Sequence, residues 1–243
     1  MISKNQIKFI KSLKQKKFRV SNKCFVVEGN KNVLEIINSN YEILNLFAIK
    51  NWLESNKIKY VFPVHQIKEQ DLQRITSLNS SPMVLAVVKI PITQNINNFL
   101  GVNIAFDNIS DPGNLGTIIR ICDWFGIKNI YLSENSVDAY NPKVVQSTMG
   151  SISRVNIIYT ELDQLINDVP IDVDIYAAVM NGEKLNDILI GKNSLIFFGN
   201  ESNGISIDLL NKIQTKITIP RIGNADSLNV SVSSGIILNK FCT

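Results

Sequence analysis

The stretch Ile217-Thr218-Ile219-Pro220-Arg221-Ile222-Gly223-Asn224-Ala225-Asp226-Ser227-Leu228-Asn229-Val230-Ser231-Val232-Ser233-Ser234-Gly235-Ile236-Ile237-Leu238, near the C-terminus, decides how the rest of the chain is read. Its first four residues predict a short buried strand stopped by proline, and Gly223, Asn224 and Asp226 favour a turn after it. A helix is expected next. Asp226 or Ser227 can cap its start, and Leu228, Val232, Ile236 and Ile237 recur at helical spacing as its apolar face. The other face carries Asn229, Ser231, Ser233, Ser234 and Gly235, small or polar groups where a solvated helix carries long charged chains. Two readings stay open: a buried helix kept slim for close packing, or a helix whose small groups border a ligand site.

Working outward, the 243 residues with 45% hydrophobic content suffice for one or two compact cores and argue against disorder. The apolar runs are far shorter than a membrane span, and the lysine-studded start lacks the apolar centre of a signal peptide, so the chain reads as cytoplasmic with no membrane partner. Cys24, Cys122 and Cys242 lie far apart, without metal-like spacing, and read as reduced thiols. The single histidine, His65, excludes any mechanism needing two. No Gly-x-Gly-x-x-Gly and no P-loop is present, so neither dinucleotide nor nucleoside triphosphate chemistry is supported, and the dispersed acids predict no metal site.

The net charge of +4 is unevenly spread. Lys4, Lys8, Lys11, Lys14, Lys16, Lys17, Arg19 and Lys23 precede the first acid, Glu28. With Ile2, Phe9, Ile10 and Leu13 as an apolar stripe, this arm predicts a helix docked on its domain with a cationic outer face. Such a face suits phosphates better than it suits solubility, and points to nucleic acid.

From Cys24 the pattern alternates. Strands are predicted at 25–27, 43–49, 60–64 and 83–90, and helices at 32–38, 52–56 and 69–78, a small α/β layer structure over residues 1–90. Pro91 to Asn98 is polar, lacks a hydrophobic period and reads as a linker to a second domain, 99–243. That domain opens with a strand at 102–106, then Asp111-Pro112-Gly113-Asn114, a strong turn signal, and a helix from Leu115 to Phe125. Open α/β sheets place ligands at such strand ends. Arg120 lies inside the helix among Ile118, Ile119 and Ile121, a setting that argues against plain surface charge. A further strand, 194–198, delivers Gly199-Asn200-Glu201-Ser202-Asn203-Gly204 to another loop, whose glycines let backbone amides approach a ligand.

Taken together, Asn114-x-Gly116-x-x-x-Arg120, Gly199-Asn200-Glu201-x-x-Gly204 and Ile219-Pro220 followed by Ser227-Leu228-Asn229-Val230-Ser231 resemble, in order and spacing, the three motifs of the SpoU (TrmH-type) RNA ribose 2′-O-methyltransferases of the SPOUT class. Tyr140-Asn141-Pro142-Lys143-Val144-Val145 with Ser147, Met149 and Gly150 adds to the resemblance, which covers 100–243. Phe25-Val26-Val27-Glu28-Gly29 and Val84-Leu85-Ala86-Val87-Val88 look like the L30e-like substrate-binding extension common in that family.

The resemblance implies an α/β fold, a trefoil-knotted parallel-sheet domain preceded by a small L30e-like domain, with the last strand and helix threaded through an earlier loop. It implies a homodimer that builds its site across the interface, and S-adenosylmethionine as methyl donor, held at Phe198, Gly199, Asn200, Gly204, Ile219, Leu228 and Ser231. It makes Arg120 the catalytic residue, with Asn114, Glu201, Ser227 and Asn229 positioning it and the ribose. A guanidinium is not deprotonated in a protein, so Arg120 is expected to grip the target phosphate and stabilise the developing alkoxide, the phosphate itself taking the proton. The substrate expected from the basic arm and the extension is 23S ribosomal RNA; transfer RNA, or a non-catalytic role in RNA binding and ribosome assembly, are the alternatives.

Overall fold

The structure, a computed structural model, describes residues 2–92 and 99–243. The elements in chain order begin with α1 Lys4–Ser12, α2 Lys16–Asn22, β1 Cys24–Glu28, α3 Asn30–Ile37 and β2 Ile43–Ala48. Next come α4 Lys50–Ser55, β3 Val64–Gln66, α5 Glu69–Ile75, β4 Val84–Lys89 and β5 Val102–Phe106. The middle of the chain supplies α6 Pro112–Trp124, β6 Asn129–Leu132, α7 Pro142–Thr148, β7 Asn156–Tyr159 and α8 Leu162–Asp168. The last are β8 Asp174–Lys184, β9 Ser194–Phe198, α9 Ile207–Lys212, β10 Thr215–Thr218 and α10 Val230–Cys242. The chain forms two compact units; Asp138–Ser153, which hold α7, pack with the first. Most of the expected linker, 93–98, lies outside the described residues.

In the first unit a four-stranded sheet has the order β1-β4-β2-β3, antiparallel except for the β2–β3 pair. Alternate residues of a strand face opposite sides, and here both sides are covered. Cys24, Val26, Leu85 and Val87 pack with Ile7, Ile10 and Leu13 from the N-terminal helices and Leu72 and Ile75 from α5. Phe25 turns the other way, its ring 4.7 Å from that of Tyr140, on the side served by α3 and α7. The expected strand at 60–64 is replaced by a shorter one starting at Val64. Pro63 has no N–H for a ladder, and only its carbonyl joins the sheet, accepting from Leu46 N at 2.9 Å.

The basic arm is two helices, not one. Ile7 takes the buried place expected of Phe9, which is exposed. Arg19 is not part of the cationic surface: it is 2% exposed, its Nε donates to Asp138 Oδ2 at 2.9 Å, and its Nη1 donates to the carbonyls of Leu13 and Lys14 at 2.8 Å each. The guanidinium thus closes the turn between α1 and α2, whose carbonyls have no helical partner. The seven lysines of the arm remain exposed, and among the described residues none of them pairs with a carboxylate.

The second unit is a six-stranded, wholly parallel sheet, order β10-β8-β9-β5-β6-β7. Central β5 and β9 are buried along nearly their whole length, Asn103 and Ser194 included, because both faces are covered. On one face Ala105, Tyr131, Leu195 and Phe197 meet Leu162 and Leu165 of α8 and Leu209 of α9. Towards the other, Phe106 stacks on Phe198 at 5.1 Å, and α6 and α10 pack together. The chain therefore runs from edge strand β10 back to the helix that follows central β5. This is the fold class the resemblance implies. No helix among the described residues is long and apolar enough to cross a membrane.

Replacing Arg19 by alanine leaves the largely desolvated Asp138 carboxylate without its partner, and is expected to cost about 3 kcal/mol of stability in urea unfolding. A loss below about 1 kcal/mol would mean that the pair behaves as a surface contact.

Candidate active site

Three loops leave the C-terminal ends of β5, β9 and β10, where a parallel sheet presents its ligand sites. The first enters α6 through a well-formed start: Asp111 caps it, accepting from Asn114 N at 2.8 Å, and Pro112 occupies the first turn, where no N–H is needed. The second, after β9, folds into a tight hairpin in which Asn200 and Gly204 exchange backbone hydrogen bonds of 3.0 Å each. A Cβ at Gly199 would lie 2.0 Å from the carbonyl carbon of Gly204, so only glycine allows this closure. Asn200 fastens the second loop to the first, its Nδ2 donating to Asn108 O at 2.8 Å.

The third loop runs from Ile219 to Asn229. Asp226 and Ser227 do not cap the last helix as expected. Asn229 does, its Oδ1 accepting from Ser231 N at 2.9 Å and Ser231 Oγ at 2.6 Å. Val232 and Ile236, expected on the buried face, are largely exposed, whereas Ser231 and Ser234 are buried with Val230, Ile237, Leu238 and Phe241. The fully buried Ser234 hydroxyl donates to Val230 O at 2.6 Å, so it needs no partner outside its own helix. Both sequence readings of the small face hold in part, since Ser231 and Ser234 serve packing while Ser233 borders the cavity described below.

One chain of side-chain hydrogen bonds joins the loops. Asn229 Nδ2 donates to Asn114 Oδ1 at 2.9 Å, and Asn114 Nδ2 donates to Glu201 Oε1 at 3.0 Å. The Glu201 carboxylate also accepts from Ser110 Oγ at 3.1 Å and Asp111 N at 3.3 Å. Burial by itself raises the Glu201 carboxyl. The Asn114 amide, the backbone N–H groups of Glu201 and Asp111 and the Ser110 hydroxyl outweigh it, and the group sits below its ordinary value. Glu201 is thus a fixed anion bound by neutral donors and is not the ion-pair partner of Arg120.

Beside this network is a cavity of about 660 Å³. Of the residues expected to hold a cofactor, Phe198, Gly199, Asn200, Gly204, Ile219 and Leu228 line it, as do Glu201, Ser227 and Asn229. Ser231 does not; it borders a shallow groove between α6 and α10 with Thr117, Ile121, Val232 and Ile236. Asn114 stands behind Glu201, off the cavity wall. Arg120 is also off the wall, on the outward face of α6 with Thr117 and Trp124, and among the described residues it has no ion-pair partner. Among the residues sequence reading missed are Arg221 of the third loop and Ala178, Val179 and Met180 of β8. The last three join the wall because β8 pairs with β10, a neighbour relation that only sheet order reveals.

The SpoU rRNA Methylase family model matches residues 101–239, which hold the whole of this site. The chain belongs to that family. An MRM3-like substrate binding domain matches residues 4–86 of this SpoU methyltransferase. Over 239 residues it is 27% identical to the 23S rRNA (guanosine(2553)-2′-O)-methyltransferase RlmP of Bacillus subtilis, covering 97% of this chain and 96% of that protein. A putative RNA methyltransferase of the TrmH family from Porphyromonas gingivalis superposes with a TM-score of 0.90 at 31% identity, over 99% of this chain and 98% of the other. An AdoMet-bound rRNA methyltransferase from Sinorhizobium meliloti gives 0.88 at 27% identity, over 99% and 95%.

The lowered Glu201 pKa predicts a pH dependence. Its contribution to stability is complete above the ordinary carboxylate range and is lost as pH falls through the lower folded value. Glu201→Gln should therefore lower the Tm near neutral pH, with the gap to wild type closing as pH falls below the ordinary carboxylate range. A gap of constant size would show that the charge of Glu201 contributes nothing.

Proposed function

We propose that this protein is an S-adenosylmethionine-dependent RNA ribose 2′-O-methyltransferase that acts on 23S ribosomal RNA, as a homodimer in the cytoplasm. The observation that carries the reading is the cavity at the ends of β8, β9 and β10, abutting the Glu201–Asn114–Asn229 network. A volume of about 660 Å³ is in the range of small-molecule sites. Its walls combine apolar side chains, Phe198, Ile217 and Leu228, with the backbone of the hairpin around Gly199 and Gly204, a surface suited to a flat base and a short aliphatic chain. These residues fit the donor. When bound, it supplies a methyl group already activated by its sulfonium.

What remains for the chain is to hold a ribose hydroxyl in line and stabilise its oxygen as the proton leaves. Asn229 and Ser227, at the cavity rim, are placed to orient the ribose, with Asn114 and Glu201 fixing Asn229 from behind. Arg120, exposed and permanently charged, grips the neighbouring phosphate and stabilises the 2′-oxygen, and the phosphate accepts the proton.

The exposure of Arg120 bears on the assembly. It shares the outer face of α6 with Trp124, which is 85% exposed, and the groove beside it is lined by Ile121, Val232 and Ile236. An apolar face of this kind suits burial by a second copy, with a tryptophan as anchor. In such a dimer the Arg120 of one protomer works with the cavity of its partner. The lysine face of α1 and α2 supplies RNA contact of the phosphate-reading type.

Incubation with labelled S-adenosylmethionine should place label in ribosomal RNA at a ribose whose 3′ bond then resists alkali. Arg120→Ala should cut the rate by about a hundredfold or more while donor binding persists. Label in transfer RNA alone would reassign the substrate. Binding of donor with no transfer to either RNA, free or assembled in particles, would contradict the enzymatic reading and leave an RNA-binding one.

A further inference from the structure

Glu201 is the only anion lining the cavity among the described residues, and Arg221 is the only cation. They come from different loops, after β9 and after β10. Glu201 is engaged by donors from Ser110, Asp111 and Asn114, so its charge is fixed in place and its oxygens are occupied. Arg221 is different. Its Nη1 donates to Ala225 O at 3.2 Å, a bond inside its own loop that holds the side chain against the 221–225 turn. Among the described residues no carboxylate pairs with it, and most of the five N–H donors of its guanidinium are uncommitted.

We propose that Arg221 is a binding residue for the carboxylate of the methyl donor's amino-acid tail. The inference rests on the assignment of the cavity to S-adenosylmethionine. That molecule carries a sulfonium at its centre and, on its amino-acid tail, an ammonium beside a carboxylate. A cavity with one fixed anion and one cation free of carboxylate partners complements the sulfonium and the carboxylate, and a planar guanidinium fork matches a carboxylate in two parallel hydrogen bonds. An RNA phosphate is the competing occupant by chemistry. The position of Arg221 in the wall of a cavity of small-molecule size, next to Pro220 and Ile219, favours the donor.

Calorimetric titration of the full-length protein, without RNA, tests this by comparing S-adenosylmethionine with its decarboxylated form. Wild type should bind the intact donor about tenfold more tightly. In Arg221→Ala that preference should vanish: the intact donor weakens by about the same factor, and the decarboxylated one binds unchanged, which also reports an intact cavity. Arg221→Lys should keep part of the preference, because the charge remains. An unchanged affinity for the intact donor in Arg221→Ala overturns the proposal, and a loss of RNA affinity in its place would assign Arg221 to a phosphate. Equal weakening of both ligands also overturns it, pointing to loop order instead of carboxylate binding. Wild type that binds neither ligand would overturn the cavity assignment along with it.

Discussion

The site depends on one short side chain. Asn114 donates its amide N–H to Glu201 and accepts at its amide oxygen from Asn229, so a single planar group ties together loops from three strands of one parallel sheet. An amide is suited to this junction because it donates and accepts at once, which neither a carboxylate nor an ammonium can do. Its own backbone is fixed in turn by the Asp111 cap at the start of α6. The junction converts three surface loops, individually free to move, into one rim.

From that constraint follows a division of labour. The backbone of the hairpin after β9 and the apolar ends of β8, β9 and β10 make the cavity, and Gly199 is required there because its neighbour's backbone already occupies the space of a side chain. The polar side chains at the rim are largely committed to one another. Two guanidinium groups near the site, Arg120 on the outside of α6 and Arg221 at the cavity wall, have no carboxylate partner among the described residues. Guanidinium groups left unpaired among so many hydrogen-bonded neighbours are suited to anions that arrive with the ligands, a phosphate for one and a carboxylate for the other.

Much of this was legible in the sequence. The alternation of apolar runs located the strands and most helices of the first unit and β5, α6, β9 and α10 of the second, but not β7, α8 or α9; the strand-end loops carrying Asn114, Glu201 and Asn229 stand out by composition alone. The phase of α10 was not legible. The apolar stripe predicts a buried face, which holds at Ile237; Ser231 and Ser234 are buried too, their hydroxyls satisfied within the helix or its cap, while Val232 and Ile236 face outward. Hydropathy assumes that apolar means inside, an assumption that fails at Val232 and Ile236. Arg19 is the converse case. A residue in a basic run looks solvent-exposed, yet its partners, Asp138 and the carbonyls of Leu13 and Lys14, are brought together only by folding. The part played by β8 likewise depends on sheet order, which no local pattern encodes.

Amide hydrogen exchange, read by mass spectrometry on wild type and Asn114→Ala, tests the junction most directly. If Asn114 couples the loops, its truncation should speed exchange not only at 107–116 but also at 199–206 and 229–233, with the strands of the parallel sheet unaffected. Faster exchange confined to 107–116 would contradict the account, because each loop would then hold its shape alone.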